Sequence, residues 1–254
     1  MLTRLKQMIK DSGLIPSYRA RRQLAARYLR GTGLEIGALH FPLQVPAGVD
    51  VKYVDYATRE ENIRRFPELD GEKIVFTDFV EDGFTLHSLD GASQDFLVAN
   101  HVLEHANNPI QVLVNWSRIL RRDGVLFVSV PIGARCFDRG REVTTLRHLI
   151  EDFELVARGD LGEFARRNRR HYEEWVRISM RNVHKLRASE AELMEMIEKM
   201  SDESTEIHYH VFSRDSFGEL LEYFTLVVDT SLTCECLVKS RGGAEYVAIL
   251  RKRI

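Results

Sequence analysis

GLEIGALHFPL, residues 33–43, decides how this 254-residue chain is read. A short apolar run carries Glu35 and stops at Gly37, the form of a buried strand that turns sharply at its carboxyl end. A dinucleotide-binding turn would continue as G-x-G-x-x-G and open a helix, because the backbone has to approach a pyrophosphate closely. Here the second and third glycines are missing, and Pro42 and Pro46 stand where that helix would start. The stretch is a damaged dinucleotide loop, a loop for another cofactor, or a plain turn.

Working outward, strands and helices alternate. GLEIG is a first strand, VKYVDYA (51–57) a second, KIVFTDF (73–79) a third, and the start of SQDFLVANHVLEH (93–105) a fourth. PIQVLVNWSRILRRDG (109–124) reads as a helix, with Pro109 at its first position and Asn107 or Asn108 as cap. Ile110, Leu113, Val114, Ser117 and Leu120 line one face of it. VLFVSVP (125–131) is apolar on both faces, as central parallel strands are. Residues 132–206 break the rhythm with Arg, Glu and His, and read as a helical insertion, with helices around 142–157, 162–184 and 188–200. SRDSFGELLEYF (213–224) is a helix capped by Ser213. TLVVDTSL (225–232) and EYVAILRKR (245–253) close the chain as antiparallel neighbours. The expected fold is an α/β, Rossmann-like, doubly wound, mostly parallel seven-stranded sheet with an antiparallel last strand and a helical insertion after strand five. Residues 31–254 form this domain, preceded by a basic segment, 1–30.

Composition narrows the function classes. The chain is 44% hydrophobic and 29% charged with a formal net charge of −2, so nothing pushes it as a whole toward nucleic acid. No apolar run has the length of a membrane span, the N-terminus lacks a signal-peptide core, and three cysteines make no disulfide framework. The expected compartment is the cytoplasm. Residues 1–30 carry eight bases from Arg4 to Arg30 against Asp11, with Leu2, Leu5, Met8 and Ile9 as an apolar stripe. A basic helix packed on its own domain is the favoured reading, and weak membrane-surface contact its rival. RRNRRHYEEW (166–175) has the bases and aromatics of a nucleic-acid patch, but Glu173 and Glu174 favour an amphipathic cap helix. His208 and His210 with Cys234 and Cys236 match no common zinc spacing, and buried thiols are the preferred reading, so no metal is expected.

Open α/β sheets bind ligands outside the carboxyl ends of their strands. That rule selects Gly37 to His40, Asp55 and Tyr56, Asp78 and Phe79, Asn100 and His101, and the segment after Pro131. Asp55, 18 residues beyond Gly37, suits a ribose diol. Asp78 at a third strand end suits an adenine amino group, with Phe79 beside the ring. A nucleoside without phosphates needs no glycine-rich loop, and S-adenosylmethionine is such a cofactor.

LEIGALHFPL, VKYVD and above all residues 93–131 together resemble a class I S-adenosylmethionine-dependent methyltransferase. FDRGREVTTLRHLIEDF, HYEEWV and HYHVFSRDSFGELL are similar to a bacterial subgroup associated with surface-polysaccharide and glycosyltransferase genes. The resemblance implies that Glu35, Gly37 and Ala38 hold the methionine end of the cofactor, Asp55 and Tyr56 the ribose, Asp78 and Phe79 the adenine, and that Asn100 and His101 lie near the sulfonium. It implies O-methyl transfer to a sugar, a glycan-linked intermediate or another small molecule, with polysaccharide biosynthesis as the setting. A regulator that keeps the fold without catalysis, and less favourably a nicotinamide-dependent oxidoreductase, are the alternatives.

A hydroxyl acceptor needs a base, and His suits the task. His101 is the best placed, with His148 and His171 on the insertion as further candidates. Arg135, Asp138, Arg141 and His148 follow strand five and are the expected acceptor-binding residues, the arginines for an anionic group. Glu104 and His105 are expected to stabilise the following turn.

Overall fold

The computed structural model describes residues 16–69, 72–240 and 245–254. Seven strands form one sheet in the order β3-β2-β1-β4-β5-β7-β6. They are β1 (Thr32–Ile36), β2 (Asp50–Asp55), β3 (Phe79–Val80), β4 (Gln94–Asn100), β5 (Leu120–Pro131), β6 (Leu232–Lys239) and β7 (Glu245–Lys252). β7 runs antiparallel to both of its neighbours, and the pairs among β1 to β5 are parallel. This is the expected Rossmann-like sheet. Its order reverses between β1 and β4, which opens a mouth at their carboxyl ends.

Period-two alternation sorts β4 between two cores. Leu97 and Ala99 join Leu34, Val54, Leu126 and Val128 on one face, under Trp116 and Phe217. These two lie on helices α3 (Pro109–Ile119) and α8 (Arg214–Tyr223). Phe96 and Val98 join Phe127, Val247 and Ile249 on the other, under Ala25 and Leu29. Ala25 lies on helix α1 (Pro16–Tyr28), and Leu29 directly follows it. The apolar stripe at Leu2 to Ile9 lies outside the described residues. Between β1 and β2 residues 37–49 contain no helix. α1 and Leu43 cover that face instead.

Caps at α3 and α8 follow the sequence. The Asn108 side chain accepts from the Gln111 N–H, with Pro109 in the first turn, and Ser213 forms a capping box with Ser216. Two expected strands differ. Only Phe79 and Val80 pair with β2. Earlier in the run the bonds go to loops, the Val75 N–H donating to the Leu39 carbonyl at 2.9 Å and the Thr77 hydroxyl to that of Ala57 at 3.1 Å, whereas the Asp78 N–H donates to the Tyr53 carbonyl of β2 at 2.9 Å. Residues 225–228, β-branched and apolar, continue α8 as a π turn, Phe224–Val228. The Asp229 N–H closes it on the Phe224 carbonyl at 2.8 Å, and Leu226 and Val227 stay exposed. The strand begins at Leu232.

The insertion comprises α4 (Leu146–Ala157), α5 (Leu161–Glu174), a π turn at Trp175–Ser179, α6 (Met180–His184) and α7 (Glu190–Asp202). α4 gives Leu149 to the main core. The rest builds its own core from Tyr172, Val176, Leu193, Ile197, Ile207 and Tyr209. Among the described residues no helix is long and apolar enough to cross a membrane.

Candidate functional site

Glu35 occupies the end of β1 with its side chain fully buried. Both carboxylate oxygens accept from the Leu43 N–H, at 3.0 and 2.9 Å, and Oε1 also accepts from the Asn100 amide at 3.3 Å. Burial pushes its pKa to about 7, against the lowering effect of those bonds and of Arg21. Gly37 follows with φ +64°, Leu39 with φ +46°, and at the end of β4 His101 has φ +57°. Three residues in the left-handed region border one mouth, and two of them are not glycine, a strained arrangement that gathers at functional sites. A Cβ on Gly37 would meet only Val102 Cγ2, at 3.7 Å. The loop therefore has space above it, and its φ, rather than a close approach, calls for glycine. Ala38 is buried and its carbonyl accepts from the Phe41 N–H.

Asp55 ends β2, buried, with Oδ1 accepting from the Ala57 N–H at 3.2 Å. Burial raises its pKa against the opposing Asn62, Ala57 and Arg65. Tyr56 is about half exposed and carries the Arg65 guanidinium 4.4 Å above its ring. Asp78 precedes β3 rather than ending it. Its Oδ2 accepts from the Tyr53 N–H at 2.9 Å, its Oδ1 lies 3.5 Å from Lys52 Nζ, and Phe79 packs on the core. Asp78 and Phe79 thus stand below the mouth, because the register sets Phe79 beside Val54 and Val80 beside Asp55, the last residue of β2. The acidic residues at its carboxyl end are Glu81 and Asp82.

The mouth is wired across five elements. The His101 ring shares a hydrogen bond from Nε2 with Glu245 Oε2 at 3.0 Å. Arg21 on α1 donates from Nε and Nη2 to the same carboxylate and from Nη2 to the Ser129 hydroxyl. Ser129 donates to Asn100 Oδ1 at 2.9 Å, and Asn100 reaches Glu35. Burial would raise the Glu245 carboxyl, but the His101 bond and Arg21 outweigh it and hold it below the usual carboxylate value. The Glu245 side chain is 3% exposed and that of His101 41%, so the pair presents an imidazole to solvent on a buried anion. Arg21, Ser129 and Glu245 escaped the sequence reading. Ser129 inside an apolar strand and Glu245 at the head of another were the available signals.

The remaining candidates lie elsewhere. Asp138 and Arg141 are buried and paired at 2.9 Å, and Arg141 also donates to the carbonyls of His208 and Tyr209. Asp138 further accepts from Ser179 and bonds His208. With its guanidinium spent inside the protein, Arg141 is a scaffold residue and not an anion binder. Arg135 is exposed in a 3₁₀ turn, Gly133–Arg135. His148 and His171 meet each other, Nε2 to Nε2 at 3.1 Å, and the His171 ring stacks edge-on to His210. Burial, with His148 and Arg141 nearby, lowers His171 to about 3, so its ring is neutral. His208 and His210 do not converge with Cys234 and Cys236. Those cysteines lie on β6 across a bulge, and the metal-capable clusters among the described residues hold neither.

The site suits a nucleoside cofactor with a cationic amino-acid end. A fully buried carboxylate at β1, a carboxylate at the end of β2 and a helix-free turn between them offer partners for an ammonium and a diol but no cradle for pyrophosphate. No curated protein matches the chain. Among solved structures, a SAM-dependent methyltransferase from Aquifex aeolicus is similar at 10% identity and TM-score 0.46, over 97% of this chain and 96% of that one. A SAM-dependent methyltransferase from Thermotoga maritima, described as a possible histamine N-methyltransferase, is similar at 16% identity and TM-score 0.45, over 99% and 98%. The plantazolicin methyltransferase solved with a desmethyl analogue and SAH is similar at 13% identity and TM-score 0.47, over 98% and 87%. Likenesses this loose carry no argument about chemistry. Residues 31–128, which hold β1 to β4, the residues that line the mouth on that side and most of β5, match the family described as "Methyltransferase domain", and this match indicates S-adenosyl-L-methionine as the cofactor.

Proposed function

We propose that the chain transfers a methyl group from S-adenosylmethionine to a hydroxyl of a small molecule, with a sugar or glycan-linked intermediate as the leading acceptor class. The observation that carries this reading is the His101–Glu245 pair at the carboxyl end of β4. The cofactor, when bound, supplies an electrophilic methyl on a sulfonium. Glu35 and the turn at Gly37 and Ala38 would hold its amino-acid end, Asp55 and Tyr56 its ribose, and Asp82, in place of Asp78, its adenine. Asn100 orients Glu35. Glu245 fixes the His101 tautomer with a proton on Nε2, which leaves Nδ1 to take the proton of an acceptor hydroxyl. Residues 161–202, folded on a core of their own, serve as the cap that excludes water.

Calorimetry with S-adenosylhomocysteine and NAD, followed by product analysis with S-adenosylmethionine and a panel of sugars, tests the proposal. Tight binding of S-adenosylhomocysteine alone and a methylated sugar are expected. Preference for NAD would overturn the cofactor reading, and binding without transfer to any hydroxyl would leave a regulator.

A further inference from the structure

Five of the nine histidines fall into two clusters with different chemistry. In the first, His148, His171 and His210 converge. Arg167 Nη2 lies 3.1 Å from His148 Nδ1 and can only donate. His148 therefore carries its proton on Nε2, the atom that faces the other rings and lies 3.0 Å from Asp152 Oδ2. Arg167, Asp152 and His171 thus engage His148, and the fully buried His210 ring packs edge-on to both imidazoles.

The second cluster holds a buried carboxylate without a hydrogen bond. A carboxylate oxygen of Glu104 and ring nitrogens of His105 and His208 all lie within 4.8 Å of one another. His208 Nδ1 meets Asp138 Oδ2 at 2.6 Å, so its proton sits there and Nε2 is left with a lone pair, 3.9 Å from Glu104 Oε1. The His105 ring hydrogen-bonds the Ile207 backbone, while its buried Nδ1 makes no hydrogen bond and faces Glu206. Both oxygens of Glu104 are likewise buried without a partner on a residue that is 0% exposed. Glu206 Oε1 stands 3.3 Å from His105 Nδ1 on the exposed side. Arg141 neutralises Asp138 and pins the backbone of His208 and Tyr209. The inner carboxylate has no such counter-charge, and an isolated buried carboxylate is costly.

We propose that Glu104, His105 and His208 form a divalent transition-metal site, with Zn²⁺ as the occupant its nitrogen and oxygen donors favour. Two imidazoles and one carboxylate are a catalytic rather than a structural zinc set, which leaves positions for an external oxygen or for Glu206. Asp138 behind His208 is the carboxylate–histidine arrangement that orients a metal ligand. An acceptor hydroxyl bound there would lose its proton more readily, a role that rests on the methyl-transfer reading, whereas the site itself does not.

The test uses the full chain stripped with a chelator and titrated with ZnCl₂, with MgCl₂ as the contrast. One equivalent of Zn²⁺ with micromolar or tighter affinity, no Mg²⁺ binding, and a visible Co²⁺ spectrum of nitrogen and oxygen ligation are expected. Glu104→Gln and His208→Asn should each weaken Zn²⁺ at least tenfold, and His148→Asn should leave it unchanged. S-adenosylhomocysteine binding, measured on every variant, reports intact folding separately and is expected to persist. Absence of Zn²⁺ binding and of the Co²⁺ spectrum in the wild-type chain, or loss of the metal in His148→Asn with retention in Glu104→Gln, overturns the proposal.

Discussion

His101 and Glu245, 144 residues apart in sequence, meet at 3.0 Å because β7 enters the sheet antiparallel and sets its first residue beside Pro131 at the end of β5, one strand away from the end of β4. A strand running the other way would place its amino end at the opposite edge. The reversal of one strand therefore supplies a carboxylate to the mouth, and Arg21 from α1 secures it.

If His101 is the base, His101→Ala lowers turnover by about a hundredfold or more and leaves S-adenosylhomocysteine affinity unchanged. Glu245→Gln keeps the imidazole but loses its anion, and falls between the two. Single-turnover rates with the acceptor identified by the sugar panel check both, and normal turnover in His101→Ala removes this residue from the chemistry.

Asp55→Ala leaves cofactor hydroxyls without an acceptor and weakens S-adenosylhomocysteine by about 1.5–3 kcal/mol, the range for hydrogen bonds to a charged group. Calorimetry on a variant with native melting behaviour measures this. Asp78→Ala, whose carboxylate serves Tyr53 and Lys52, should leave the affinity unchanged.

Glu35 sets a pH dependence of stability. Its carboxyl titrates at 4.5 when solvated and at about 7 when folded, so between these values the folded state binds the extra proton. Stability from this group is therefore greatest below pH 4.5, falls as pH rises to about 7, and is flat above; the full change is about 3 kcal/mol. Glu35→Gln should lack that slope, so the stability difference between variant and wild type in urea titrations should shift by this amount across pH 5 to 8. An unchanged slope would show that Glu35 stays ionised.

Arg141→Ala should act on folding. Loss of the guanidinium strands the Asp138 carboxylate and two carbonyls, and breaking a buried pair costs about 3–5 kcal/mol. Denaturant titration reads this directly. A variant of native stability with a raised acceptor KM would restore Arg141 as an acceptor contact.

Local chemistry made much of the architecture legible. Apolar runs fixed β1, β2, β4 and β7 to within two residues, Pro109 and the Asn cap fixed the start of α3, and the missing glycines with Pro42 and Pro46 excluded a phosphate cradle. α3, expected to reach Gly124, ends at Ile119, and β5 starts five residues early at Leu120 because Leu120 already pairs with β4. Where competing interactions were long-range, the same signals failed. The run KIVFTDF has strand character, yet loops after β1 and β2 take the hydrogen bonds of Val75 and Thr77, and the register with β2 leaves Asp78 below the mouth. Thr225 to Val228 have strand propensity, but burial of Phe224 and the backbone ladder of α8 carry them on as a helical turn.

The amino-acid order by itself determined the sheet, its turns and the acidic residues at β1 and β2, because those depend on periodicity and on backbone geometry within a few residues. Only the tertiary structure decided which charges are free. It spent Arg141 on carbonyls, closed His148 with Arg167, paired His101 with Glu245, and left Glu104 without a partner. Each outcome depends on which polar atoms from distant segments arrive within 3 Å in a space that water cannot enter, and no local pattern encodes that distance.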